Sequence, residues 1–89
     1  MKEHLARLRD LDPYVRRNAA EVLGEMGKAA ATPEVIGALV ERLLQDESGG
    51  VREAAAKALG EMGEAAARPE VLEALVQALR KDKVWWVRR

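Results

Sequence analysis

VRRNAAEVLGEMGKAAATPEV at residues 15–35 returns as VREAAAKALGEMGEAAARPEV at residues 51–71. Working outward, Asp10 to Gln45 and Asp46 to Lys81 form one duplicated unit, matching at roughly 20 of 36 positions. A third copy begins at Asp82 and runs to Arg89, and residues 1–9 read as the end of a preceding one. Self-similarity at this period marks stacked pairs of helices. One unit cannot bury its own apolar face, but a stack of units can. The expected organisation is a single domain over 1–89: a partial repeat at 1–9, repeat 1 at 10–45, repeat 2 at 46–81, and the start of a third at 82–89.

Each unit holds two helices. The first is expected at 13–26 and 49–62. Its apolar residues, Val15, Ala19, Val22, Leu23 and Met26, recur as Val51, Ala55, Ala58, Leu59 and Met62. That spacing makes one buried stripe on a helix. Asp12 before Pro13 is a start signal, and Ser48 takes the capping place in the second unit. Gly27 and Gly63 stand where the chain leaves the helix, and the left-handed conformation is expected there.

The second helix is expected at 33–45 and 69–81, opened by Pro33 and Pro69 and followed by Glu34 and Glu70. Thr32 can cap the first copy, whereas Arg68 offers no such acceptor to the second. Small Ala19 and Ala55 suit a close helix crossing, and a larger side chain there would force the helices apart. Val15 and Val51, and likewise Leu39 and Leu75, are expected in equivalent surroundings.

Three aspartates recur six residues before three arginines: Asp10 and Arg16, Asp46 and Arg52, Asp82 and Arg88. They read either as solvated charges or as a structural ladder. In the ladder each aspartate accepts from turn N–H groups or from an arginine. Neither reading is catalytic.

VRRNAAEVLGEMG and VREAAAKALGEMG, with the D-x5-R spacing, resemble the HEAT-like helical repeat in the short form of phycobilisome-lyase-type proteins. They are also similar to consensus-designed repeats of that family. The resemblance implies an all-α fold, an α-solenoid of two HEAT-like helical hairpins with partial repeats at both ends. It implies first helices on the convex side and second helices on the concave side. It also implies protein–protein interaction as the role of most members. Two other roles follow from relatives: a subunit of a bilin lyase, for which no residue here supplies chemistry, and a nucleic-acid binder.

Composition narrows these options. Among 89 residues there is no cysteine, so no disulfide framework. No apolar run reaches the length of a membrane span, and a soluble cytoplasmic protein with no membrane association is expected. Net charge is zero but uneven: about +2 over residues 1–17, about +4 over 80–89, and about −6 between. The acidic middle argues against phosphate binding, which needs clustered lysine or arginine.

Catalytic chemistry is not visible. His4 is the only histidine, so a multi-histidine metal site is excluded within one chain, and His4 is expected to be exposed and inert. Some HEAT-like hydroxylases carry paired His-Glu motifs; the corresponding stretches here read RRNAA and REAAA. Ser48 has no base beside it, and GEMG lacks the strand and the lysine-serine of a phosphate loop. The chain reads as a non-enzyme with no catalytic, metal or cofactor residues and no cofactor.

What differs between matched copies is then the candidate surface. On the second helices Gly37/Glu73, Glu41/Gln77, Arg42/Ala78 and Gln45/Lys81 vary. Glu41, Glu73 and Gln77 are expected to form a partner-binding strip. Trp85 and Trp86 are candidates too. They pack locally over Leu79 or Val76, anchor a protein interface, or stack on bases. The partial units at both ends leave two possibilities. Either the chain is part of a longer array, or terminal edges make a homo-oligomer by head-to-tail contact.

Overall fold

A computed structural model describes residues 2–81 of the chain. Among the described residues five α-helices occur in order: α1 Lys2–Arg7, α2 Pro13–Met26, α3 Pro33–Gln45, α4 Gly49–Met62 and α5 Pro69–Lys81. Short 3-10 turns at Gly27–Ala30 and Gly63–Ala66 carry the chain from α2 to α3 and from α4 to α5. No strand occurs among the described residues. The fold is an all-α solenoid.

The helix starts follow from side-chain chemistry. The Asp12 carboxylate accepts the Tyr14 N–H at 2.9 Å, Thr32 Oγ1 accepts the Val35 N–H at 3.2 Å, and Ser48 Oγ accepts the Val51 N–H at 3.3 Å. Each satisfies a donor that the first helical turn leaves without a partner. At α5 the Arg68 main-chain carbonyl takes the Val71 N–H instead, at 3.0 Å. Thr32→Ala is therefore expected to lower stability by about 1 kcal/mol in urea melts followed by circular dichroism. An unchanged midpoint would show that water replaces the hydroxyl at no cost.

The helix exits correct one expectation. Gly27 and Gly63 do have positive φ, 58° and 57°. Their ψ values of −129° and −131° lie far from the left-handed helical well. The chain leaves α2 and α4 through an extended positive-φ conformation that almost only glycine adopts. The sharper turn lets each 3-10 segment follow at once.

The most extensive packing is between α2 and α4, then between α3 and α4, with α3 against α5 and α1 against α2 completing the stack. Small residues stand at the α2–α4 seam: Gly24 closely approaches Ala58, Ala54 lies under the groove between the two helices, and both alanines are buried. Leu8, Leu23, Leu39 and Leu43 belong to one core cluster and are fully buried. Burying a leucine side chain contributes about 1.5–3 kcal/mol, so these four anchor the stack.

Matched positions are not equally covered. Val51 and Leu39 are fully buried, whereas Val15 and Leu75 are half-buried. Met62 is 2% exposed and Met26 37%. The equivalence expected from the duplication holds for the backbone and fails for burial. Val51 and Met62 belong to α4, which packs on both α2 and α3, while Val15 and Met26 lie on α2, which packs on α4 but has only the short α1 in the place that α3 takes against α4. His4 also departs from expectation. It is half-buried, and its Nδ1 is enclosed without a hydrogen-bond partner.

Candidate protein-interaction surface

The one buried charged residue among those described is Asp46, at the join of α3 and α4. Its carboxylate gathers three elements. Arg16 on α2 grips it with two parallel bonds, Nε to Oδ2 at 2.8 Å and Nη2 to Oδ1 at 3.0 Å. Arg42 on α3 donates from Nη1 to Oδ2 at 3.2 Å. The Ser48 N–H at the start of α4 donates to Oδ1 at 2.9 Å. Arg16 also donates through Nη1 to the main-chain carbonyls of Asp10, at 2.7 Å, and Leu11, at 3.0 Å. Arg52 does the same to the Asp46 carbonyl at 2.6 Å.

The recurring Asp-x5-Arg spacing thus joins arginine to the main chain, through the aspartate's carbonyl. The guanidinium that grips the carboxylate with two bonds comes from thirty residues back, and the second, Arg42, from the helix just before it. In the same register Asp10 is exposed and its Oδ1 accepts the Asp12 N–H at 2.9 Å. Burial pushes the Asp46 carboxyl up, but the Arg16 and Ser48 hydrogen bonds and the charges of Arg16 and Arg42 outweigh it, holding it below the usual carboxylate range. The Arg16 guanidinium is raised in turn, chiefly by its hydrogen bond to Asp46. The cluster ties α2, α3 and the start of α4 to one carboxylate. Asp82 and Arg88 lie outside the described residues.

Arg42 changes the reading of one variable pair. Arg42/Ala78 looked like free surface, yet Arg42 is committed to Asp46 and Ala78 is buried. The i, i+4 spacing to Asp46 is the one-dimensional signal for Arg42; the burial of that aspartate is set only in three dimensions.

Two other variable pairs, Gly37/Glu73 and Glu41/Gln77, do face water. Gly37, Glu41, Glu73 and Gln77 are all exposed. Glu41 sits 3.4 Å from Arg42 and lines a shallow depression between α1 and α3, together with Leu5, Arg9 and Pro33. Glu73 and Gln77 share a second depression on α5 with Leu72, Val76 and Arg80. The structure therefore brings Glu73 and Gln77 together and places Glu41 in a separate depression. Trp85 and Trp86 lie outside the described residues.

A third surface is absent from the sequence reading. Glu21 and Glu25 from α2 meet Lys57 and Glu61 from α4 around a groove over Ala54. Each glutamate looks isolated along the chain; packing of α2 on α4 gathers them. Among the described residues no group of three His, Cys, Asp or Glu side chains is placed to hold a metal ion. No helix among them is long and apolar enough to cross a membrane.

A family model described as HEAT repeats matches residues 1–89, the full length of the chain. No curated protein matches it.

Proposed function

As the chain belongs to the HEAT-repeat family, we propose that it is a non-catalytic interaction module that meets a protein partner along the exposed stripes of α3 and α5. HEAT repeats are in general protein-interaction scaffold elements, and the family is typically non-enzymatic. The observation that carries the reading is a division of labour on these two helices. Val35/Val71 and Ala38/Ala74 match between copies and are buried. Gly37/Glu73 and Glu41/Gln77 differ and are exposed. A packed scaffold holding variable side chains outward is how a solenoid builds a binding face. Glu41, Glu73, Gln77, Trp85 and Trp86 are the proposed contacts.

Site-specific cross-linking tests this. A photo-reactive phenylalanine analogue at Glu41 or Gln77 is expected to trap protein adducts in the native host. The same probe at Glu25 or Lys57, on the α2–α4 face, should trap far fewer. Equal yields from both faces, or none from α3 and α5, would remove the proposal.

A further inference from the structure

We infer that the α5 stripe is a self-complementary docking surface whose partner is a second copy of this chain, packed antiparallel about a twofold axis; this deepens the interaction reading above and rests on it. Leu72 and Val76 are large apolar residues exposed by 54% and 46%. With Glu73, Gln77 and Arg80 they line one open depression. Spacings of three, four and seven place all five on a single face of the helix.

The charge order on that face is what selects the partner. Glu73 and Arg80 stand two helical turns apart, on either side of Val76. Place a second α5 antiparallel, with the twofold axis between Val76 and Gln77. Glu73 then lies opposite the second copy's Arg80, and Arg80 opposite its Glu73. The two valines meet near the axis. An isologous contact requires a patch that complements itself under a twofold rotation, and the Glu73, Val76, Gln77 and Arg80 part of this one does. The matched stripe on α3 does not. Its Ile36 is already buried, and Leu44 stands where α5 has Arg80, so the cation is missing.

The contact is one helix wide, which places it among small, transient interfaces. Sedimentation velocity on the full chain between about 1 and 500 μM should show a reversible monomer–dimer equilibrium in the micromolar range. Glu73→Arg and Arg80→Glu should each weaken dimerisation about tenfold or more, since each change occurs twice and sets like charges opposite. The double variant Glu73→Arg/Arg80→Glu should restore Kd to within about threefold of the starting protein. A monomer at every concentration overturns the inference. So does a dimer indifferent to either single change, or a double variant as weak as the singles. Thermal melts accompany each variant. A loss of stability in the singles would mean that the stripe is covered within one chain, which also overturns it. Monomeric behaviour leaves the interaction-module reading standing, because the cross-links from Glu41 report on other proteins independently.

Discussion

Asp46→Ala is expected to lower the unfolding free energy by about 3 kcal/mol, the usual cost of removing one partner from a buried charge pair. The size of the effect comes from what is left behind. The Asp46 side chain is 0% exposed, and the Arg16 and Arg42 side chains only 11% and 20%. Without the carboxylate, two guanidinium groups face each other across a small void, and the Ser48 N–H loses its acceptor. Asp46→Asn keeps the shape and an acceptor for Ser48 while losing the charge. It should cost about 1–2 kcal/mol. Urea denaturation at neutral pH gives both values, and an Ala variant within error of the starting protein would show that the cluster contributes nothing net.

The same cluster makes an acid-side prediction with a definite sign. Folded Asp46 holds a proton less readily than it does in the unfolded chain. Its contribution is therefore complete above the ordinary aspartate pKa of about 3.9 and is lost as pH falls through the lower folded value. The stability gap between the starting protein and Asp46→Asn should be constant from neutral pH down to about 5 and should close below about 4. A gap that persisted on full acidification would mean that the carboxylate is not the group responsible.

Gly24→Ala is the second large effect, expected at about 2 kcal/mol destabilising through overpacking. A methyl group on Gly24 would lie 2.8 Å from the Ala58 Cα and 3.0 Å from its Cβ, and would also press on Glu61 Oε1. Glu61 can swing aside; the α4 backbone cannot, so α2 and α4 must separate along their alanine seam. The matched glycine behaves oppositely. A methyl group on Gly60 meets nothing within 4 Å, and Gly60 lies exposed inside α4. There alanine should stabilise by about 0.5–1 kcal/mol, since glycine is the poorer helix former. Thermal melts of the two variants should shift in opposite directions. Shifts of the same sign would show that the seam is not closed at Gly24.

Period, caps and apolar spacing were enough to place α2, α3, α4 and α5 and to settle the all-α solenoid. These are local signals. A capping Asp12, Thr32 or Ser48 acts on a donor two or three residues away, and a stripe at helical spacing needs only its own helix. The candidate strip was half legible for the same reason. Glu73 and Gln77 share a face of one helix, which the chain reports, whereas Glu41 faces a depression shaped by α1.

Tertiary structure alone decided the rest. Arg16 reaches Asp46 across thirty residues, the unlike Arg42 completes the cluster, and the identical glycines 24 and 60 end in opposite surroundings. Duplication writes the same letters into both units, but each unit meets different neighbours in the stack. Burial, pairing and steric room depend on those neighbours and not on the letters.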